Sequence, residues 1–211
     1  MLHVTDLGRL GYMDAWQVQR EVHDRVVAGS QPPTLLLVEH EPVITLGRRG
    51  NSKHILADQE TLNYMGIDVV ESDRGGDVTY HGPGQIVVYP ILRMADIKKN
   101  VSSYMRYLEQ AVIDTLAIFD ISAQRDHCAT GVWVGSEKIC AMGVRIRKNV
   151  TMHGLALNVS TNLEHFNAII PCGLVDRPVT SMLQLLGDEA PSMDHVKGAL
   201  IDKLKHGIME Q

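Results

Sequence analysis

Apolar residues in the first third of the chain follow two different periods, which predict one helix and three strands. In residues 14–28 they recur every three or four positions, as they do on the buried face of an amphipathic helix. Residues 34–39 form a continuous apolar run, and residues 42–46 and 67–71 are two further short apolar segments next to turn-forming residues. This part of the chain is therefore predicted to be a helix followed by strands.

The next predicted elements are a buried strand and a long helix. Residues 86–92 are an apolar run of strand length. In residues 101–119 apolar side chains fall on one face at intervals of three and four, and Ser102 or Ser103 is expected near the N-cap of this helix. A final helix is predicted at about residues 193–205.

Between these two helices the pattern predicts a three-stranded antiparallel meander. Residues 131–134, 138–146 and 151–159 alternate or run apolar, and Gly135-Ser136 and Lys148-Asn149 mark the turns that join them. Such closely spaced segments pair most simply with their neighbours in sequence.

Length and composition add limits to this picture. The 211-residue chain is 45% hydrophobic and has a formal net charge of −5. It has no internal repeat or linker, so a single domain over residues 1–211 is predicted. The acidic balance argues against a nucleic-acid partner.

No apolar run has membrane-spanning length and the N-terminus lacks signal-peptide features, so a cytoplasmic location is expected. Short basic groups are interpreted as solvated edges: Arg48-Arg49, Lys98-Lys99, and Arg145, Arg147 and Lys148.

The three cysteines are odd in number and widely spaced, at Cys128, Cys140 and Cys172. This spacing excludes a disulfide framework and the common zinc patterns, and the scattered histidines include no H-E-x-x-H motif. No metal site is therefore predicted. Cys140 lies within an apolar segment and is interpreted as a buried structural residue, whereas Cys128, beside His127, is left open.

Residues 74–85 are the densest group of functional side chains, with four glycines and one proline among twelve positions. Glycine permits close backbone approach to a ligand and proline fixes the path of the chain. The segment is therefore predicted to be a rigid loop, flanked by strands, whose amides and polar side chains face a ligand.

Cys172 is the candidate nucleophile, since Pro171 and Gly173 place its thiol on a stiff turn with free backbone amides. A thiol with an ordinary pKa of about 8.5 needs a nearby base or cation to react at neutral pH. The sequence offers two candidates for this base or cation. One is His81 in the glycine-rich segment, and the other is Lys138, which opens a strand after a turn and is expected near solvent.

Four motifs together resemble the octanoyltransferases of lipoic acid biosynthesis, also called lipoyl(octanoyl) transferases. They are R-G-G-D-V-T-Y-H-G-P-G-Q from Arg74, G-V-W-V-G-S-E-K-I-C from Gly131, H-G-L-A-L-N-V from His153, and P-C-G from Pro171. The likeness extends over about residues 35–186 in the same order and spacing. One departure is Ile170, where many members of the family have asparagine.

The resemblance implies a mechanism and two protein partners. An octanoyl group leaves the phosphopantetheine thioester of acyl carrier protein, is held on the cysteine matching Cys172, and passes to a lysine of a lipoyl domain. The acceptors are lipoyl domains of oxoacid dehydrogenase complexes and the glycine-cleavage H protein. The lysine matching Lys138 lowers the pKa of the thiol, and no cofactor is needed, because thioester exchange and aminolysis require no nucleotide.

The same resemblance implies which residues bind the acyl chain, and it makes His81 one of them. They lie in the glycine-rich segment and in two later strands: Arg74, Gly75, Gly76, Asp77, Val78, Thr79, Tyr80, His81, Ala141, Met142, Gly143, Gly154, Leu155 and Ala156.

The implied fold is the α/β (α+β) arrangement of biotin and lipoate-protein ligases, a mixed, mainly antiparallel sheet flanked by helices. The alternative function comes from those ligases, which use ATP to activate free lipoate or biotin and need no cysteine at position 172. A carrier-binding module without catalysis is a third reading, but it would need neither Cys172 nor Lys138. Transfer that proceeds without a nucleotide would distinguish the octanoyltransferase function from the ligase function.

Overall fold

The structure of the protein is a computed structural model that describes residues 2–171 and 177–209, of which residues 208 and 209 by their backbone only. The α-helices are α1 (Tyr12–Ala28), α2 (Gln59–Met65), α3 (Val101–Ala117), α4 (Met182–Leu186) and α5 (Met193–Met209). The strands are β1 (His3–Leu10), β2 (Thr34–His40), β3 (Val43–Leu46), β4 (Asp68–Glu71), β5 (Val78–His81), β6 (Gln85–Ile91), β7 (Gln124–Arg125), β8 (Val132–Val134), β9 (Glu137–Arg147) and β10 (Val150–Asn158).

The strands form two sheets, which confirm the predicted mixed, mainly antiparallel α/β class. A seven-stranded sheet has the order β1-β2-β6-β10-β9-β8-β7, in which only the β1–β2 pair is parallel among the described strands. A three-stranded sheet has the order β4-β3-β5, with β3 parallel to β4 and antiparallel to β5. The predicted meander is β8, β9 and β10.

Helices cover both faces of the large sheet. Successive side chains of a strand point to opposite faces, so Leu35 and Leu37 of β2 join a core cluster with α3 and α5, whereas Leu36 and Val38 join another with α1. This two-sided burial explains why β2 is a continuous apolar run instead of an alternating one. None of the helices within the described ranges is long and apolar enough to cross a membrane.

The small sheet packs around a third apolar cluster that includes Ile44, Tyr80 and Phe166. It holds β5, which runs through the middle of the segment predicted to be one rigid loop, so that prediction was wrong for Val78–His81. These four residues are buried and pair with β3, which accounts for their extended backbone. The segment therefore consists of two short loops, one on each side of a strand.

Two further details differ from the sequence-based expectation. The N-cap of α3 is Asn100, whose side chain accepts a hydrogen bond from the Ser103 backbone N–H, instead of Ser102 or Ser103. Strand β1 was not predicted because it lies at the edge of the sheet and is mostly exposed, so its sequence has little apolar pattern.

Candidate active site

A cavity of about 40 Å³ lies where the glycine-rich segment crosses β9 and β10. The segments 141–143 and 154–156, both expected from the resemblance, are antiparallel register partners on these neighbouring strands. The residues that line the cavity come from α1, the glycine-rich segment and three strands of the large sheet: Tyr12, Arg74, Gly76, Asp77, Thr79, His81, Val87, Tyr89, Ala141, Met142, Gly143, His153, Gly154, Leu155 and Ala156.

The glycines allow the segment to lie directly on β9. The backbone N–H of Gly75 donates to the carbonyl oxygen of Val144 at 3.0 Å. A Cβ atom on Gly143 would lie only 2.5 Å from the carbonyl oxygen of Gly75. No larger residue fits at Gly143 without moving the segment, so the contact between two backbones sets the wall of the cavity.

The alternation of β5 divides the predicted binding residues into two groups. Thr79 and His81 face the cavity. Val78 and Tyr80 point to the opposite face, into the apolar cluster beneath the small sheet, and the Tyr80 hydroxyl bonds His165 Nδ1 at 2.7 Å. Val78 and Tyr80 are thus packing residues, and the expectation that they line the cavity is wrong.

His81 is held by a chain of buried amides. Its Nδ1 lies 2.7 Å from Gln85 Oε1, and the Gln85 amide donates to Asn158 Oδ1 at 2.9 Å. Asn158 in turn donates to the carbonyl oxygen of Thr180, whose N–H bonds the carbonyl oxygen of Lys138. This chain assigns the His81 proton to Nδ1. Burial, with smaller effects from His40 and Arg74, holds the His81 pKa well below its usual range, so the ring is neutral.

His153 occupies the other side of the cavity in an unusual conformation. Its φ of 56° is in the left-handed region, and its N–H donates to Gln19 Oε1. Its Nε2 donates to Asp73 Oδ1 at 2.7 Å, and Asp73 also pairs with Arg145. Burial lowers the His153 pKa to about 3, with Arg74 adding to the effect. The ring is therefore neutral, with the lone pair on Nδ1.

Aromatic residues complete this polar end of the cavity. The Tyr12 ring stacks on His81 with the two centroids 6.0 Å apart, and the Tyr12 hydroxyl bonds Ser72. His40 Nε2 lies 2.6 Å from the Tyr89 hydroxyl, and burial lowers the His40 pKa to about 4. Burial likewise raises the pKa of Tyr89 well above its usual range. These groups are all uncharged at neutral pH.

The buried guanidinium of Arg74 anchors the start of the glycine-rich segment. It donates to the carbonyl oxygen and hydroxyl of Thr45 on β3, and to the carbonyl oxygen of Gly75. Because Thr45 is the register partner of Thr79, Arg74 ties the segment to the face of the small sheet that meets the cavity. Its contacts with backbone carbonyls support a positioning role.

Lys138 is buried, with 5% of its surface exposed, so the expectation that it lies near solvent is wrong. It is near the start of β9, but a further segment covers it: its N–H donates to the carbonyl oxygen of Pro178, and its carbonyl accepts from Thr180. Its ammonium lies 4.8 Å from the Trp133 ring centroid. The sequence showed the turn before Lys138 but not the segment that packs on it.

Cys172, the predicted nucleophile, lies outside the described residues. Its sequence neighbour Pro171 lines a small cavity together with Lys138, Thr79 and Ala141, of which Thr79 and Ala141 also line the larger cavity. Ile170, which replaces the family's usual asparagine, donates its N–H to the carbonyl oxygen of His54 at 2.7 Å. The chain just before Cys172 is thus anchored through its backbone, which does not depend on the side chain at position 170.

Two open grooves lead toward Lys138. The first, of about 480 Å³, is lined by Lys138 itself and shares Gly76, Asp77, Met142 and Gly143 with the cavity. Gly75 lines this groove instead of the cavity. The second groove, of about 770 Å³, ends at Pro171 and Val179. Because Pro171 and Val179 also line the small cavity with Lys138, both grooves lead to the same point.

Sequence reasoning missed several residues of the cavity. Tyr12, Val87 and Tyr89 line it, but each has a sequence context typical of an ordinary helix or strand. His153 also lines it, and its position at the start of the H-G-L-A-L-N-V motif was a usable signal. No group of three or more metal-binding side chains occurs among residues 2–171 and 177–209.

Comparison with known proteins assigns the chain to a family. The family model for the lipoyl protein ligase A/B catalytic domain matches residues 11–205, nearly the whole chain. The chain belongs to this family. The chain is 50% identical to an octanoyltransferase of Caldicellulosiruptor saccharolyticus over 92% of this chain and 84% of that protein. It is 44% identical to an octanoyltransferase of Alkaliphilus metalliredigens over 99% and 98%. These relatives confirm that the chain is an acyltransferase enzyme.

Solved structures confirm the expected fold. A lipoate-protein ligase A bound with ATP superposes with a TM-score of 0.76 at 20% identity, covering 98% of this chain and 85% of that one. Biotin protein ligase from Aquifex aeolicus superposes with a TM-score of 0.56 at 12% identity, covering 98% and 68%. The family resemblance and the ligase-like fold inferred from the sequence are thus both confirmed.

Proposed function

We propose that this enzyme, acting as a single catalytic domain, moves an octanoyl group from octanoyl-acyl carrier protein to the acceptor lysine of a lipoyl domain, through a thioester on Cys172. The observation that carries the proposal is the small cavity that Lys138 and Pro171 both line. It brings the residue next to Cys172 to the buried lysine, and it shares Thr79 and Ala141 with the larger cavity.

The same geometry favours Lys138 over His81 as the partner of Cys172. His81 lines the larger cavity, and its Nδ1 is engaged by Gln85. The cavity that Pro171 lines contains Lys138 and Thr79, but its described lining does not include His81. A lysine ammonium beside a thiol lowers the thiol pKa, and a neutral amine accepts its proton. Lys138 can fill both roles in turn.

The reaction has two steps that balance without a nucleotide. In the first, the Cys172 sulfur bonds to the acyl carbon, the bond from that carbon to the pantetheine sulfur breaks, and the thiol proton passes through Lys138 to the leaving sulfur. In the second, the acceptor amine bonds to the same carbon, the bond to the Cys172 sulfur breaks, and a proton from the amine returns to the thiolate. Exchange between thioesters is nearly isoenergetic and amide formation is downhill.

The cavity receives the acyl chain in this proposal, and it must widen to do so. A volume of about 40 Å³ holds only a few waters, since one water needs roughly 10–15 Å³ of such space, and eight carbons need more. Met142 can provide this widening, since it is half-buried, has three rotatable bonds, and lines both the cavity and the first groove. Movement of Met142 would join the two spaces.

A covalent intermediate lets one site serve both protein partners in turn, because the acyl carrier departs before the lipoyl domain binds. The expected acceptors are the lipoyl domains of oxoacid dehydrogenase complexes and the glycine-cleavage H protein. The presence of two grooves that lead toward Lys138 supports this order of events.

Nucleotide dependence tests the proposal. Purified enzyme is incubated with octanoyl-acyl carrier protein and a lipoyl domain after any nucleotide has been removed with apyrase. The expected result is full octanoylation of the domain, with no gain from added ATP. Modification that requires ATP and free octanoate would contradict the proposal and support a ligase.

A further inference from the structure

Basic groups that are distant in sequence converge on one surface of the molecule. The N–H groups of Arg48 and Arg49 donate to the carbonyl oxygens of Arg74 and Gly76, at 2.9 and 3.1 Å. Gly75, between these two acceptors, donates to Val144, the neighbour of Arg145 on β9. The glycine-rich segment therefore connects the first arginine pair directly to the second basic group.

Three of these side chains, Arg48, Arg145 and Arg147, are close enough for their charges to interact. After burial, the charges of Arg147 and Arg48 are the next largest causes that lower the pKa of Arg145. Arg48, Arg49 and Arg147 are exposed. We call Arg48, Arg49, Arg145 and Arg147 the arginine cluster. Such mutual repulsion is unfavourable in the free protein and is relieved when an anion binds.

Acidic residues neutralise only part of this surface. Asp73 pairs with Arg145 and His153, and Asp77 lies 2.5 Å from His54 Nδ1 and accepts the N–H of Asn51. Because the chain as a whole has a net charge of −5, its overall charge repels an acidic partner. The arginine cluster is a local exception to that charge.

The cluster reaches the first groove through Arg49. Arg49 lines this groove together with Lys138, and the groove shares four residues with the acyl cavity. A long ligand lying in the groove would therefore have one end beside Arg49, its reactive centre beside Lys138, and an apolar tail in the cavity.

We infer that the arginine cluster binds the phosphodiester of the donor's phosphopantetheine arm and the acidic carrier surface around it, so that the first groove is the path of the donor. This inference rests on the proposed function. Arginine suits the role because its planar guanidinium binds phosphate oxygens in pairs and stays charged at all relevant pH values.

The charges also distinguish the donor from the acceptor. The acceptor presents a lysine ammonium, which a cluster of arginines repels. The second groove suits the acceptor better, since its described lining includes the carboxylates of Glu137 and Glu164 with one arginine, Arg177, whose charge is paired with Asp126. The donor arm alone combines an anionic group with a thioester and an acyl chain.

A double charge reversal, Arg48→Glu with Arg49→Glu, tests the inference. Arg145 is left intact because its pairing with Asp73 supports His153. The control is Lys203→Glu with Lys205→Glu on α5, which changes net charge equally at two residues outside the groove lining. Acylation of each enzyme is followed by intact mass with octanoyl-acyl carrier protein, octanoyl-phosphopantetheine and octanoyl-pantetheine, at low and high salt.

In the double variant, the ratio of kcat/KM for the carrier to kcat/KM for octanoyl-pantetheine is expected to fall about tenfold, with a smaller fall for octanoyl-phosphopantetheine. The rate with the carrier should depend on salt in the wild type and less so in the variant. An unchanged ratio, or an equal fall in the control, would overturn the inference while leaving the proposed function intact. Wild-type enzyme that no donor acylates would overturn both.

Discussion

The ammonium group of Lys138 lies 4.8 Å from the centroid of the Trp133 ring, across the register pair that joins β8 to β9. Trp133 is almost fully buried, and the Arg177 guanidinium lies 4.1 Å from the same centroid. A cation over an aromatic face is attracted by the ring quadrupole. The ring therefore holds the lysine side chain in a fixed position, which a group that activates a thiol requires.

Lys138→Met is expected to slow acylation by about a hundredfold or more, because it removes the charge and the proton acceptor. Methionine keeps most of the buried stem, so the fold should persist, whereas Lys138→Ala also loses packing against Trp133. In a Cys128→Ser background, which removes the exposed Cys128 thiol, the midpoint of Cys172 alkylation should rise toward about pH 8.5. Cys140 should not be alkylated in this pH range, since burial raises its pKa to about 12.

An alkylation curve for Lys138→Met that matches the wild type would show that Lys138 does not act on Cys172. His81 would then become the leading partner of the thiol.

Met142→Ala is expected to shift donor preference from octanoyl toward decanoyl and dodecanoyl chains. Met142 lines both the cavity and the first groove, so truncation enlarges the space for the acyl tail. Each additional buried methylene contributes about 0.8 kcal/mol, roughly a fourfold change in preference per carbon at most. Competition between acyl donors of different length measures the shift. Met193→Ala, another half-buried methionine, is the control and should leave preference unchanged.

Stability is expected to fall between pH 7 and pH 5 because of the buried histidines. Burial depresses the pKa of His40 from 6.5 to about 4, so in this range the unfolded chain binds a proton that the folded protein does not. Stability then rises with pH, by linkage. At pH 5 this single residue lowers the free energy of unfolding by roughly 2 kcal/mol relative to pH 7.

His40→Gln, which can still donate to Leu10 and accept from Tyr89, should make the decrease smaller by about that amount. Urea unfolding at pH 7 and pH 5 measures it. The exposed His195→Gln is the control. Parallel pH dependence in His40→Gln and the wild type would mean that His40 is not buried in the neutral form.

Gly143→Ala is expected to destabilise the protein by about 1–3 kcal/mol and to lower the acylation rate as well. Its Cβ would meet the Gly75 carbonyl oxygen at 2.5 Å, which forces the glycine-rich segment off β9. Gly198→Ala on α5 meets no atom within 4 Å and should be neutral or slightly stabilising. Thermal unfolding and acylation rates of the two variants separate the effects; a Gly143→Ala enzyme as stable and active as the wild type would refute the close contact.

The periodicity of the sequence was sufficient to predict the helices and strands that bury a continuous face. The helix that contains Leu108 and the meander around Cys140 were predicted within a few residues, because packing against one core imposes a regular pattern. Edge strand β1 was missed, since exposure on its outer side leaves little pattern to detect.

The site was only partly visible in the sequence for a different reason. Glycines and a Pro-Cys-Gly turn reveal a local backbone requirement, so they marked the right segments. The burial of Lys138 depends on a segment about 40 residues later in the chain. The orientation of the Val78 and Tyr80 side chains away from the cavity depends on pairing with β3. Such contacts between distant segments have no signature in a local pattern.

The most direct test of the proposed function is the intact mass of the protein after incubation with octanoyl-acyl carrier protein alone. The wild type is expected to gain one octanoyl group, removable by neutral hydroxylamine, and peptide mapping should place it on Cys172. Cys172→Ala should gain none, while Cys128→Ser and Cys140→Ser still acquire it. An octanoyl adduct that persists in Cys172→Ala, or a lipoyl domain modified by that variant at the wild-type rate, would contradict the thioester mechanism.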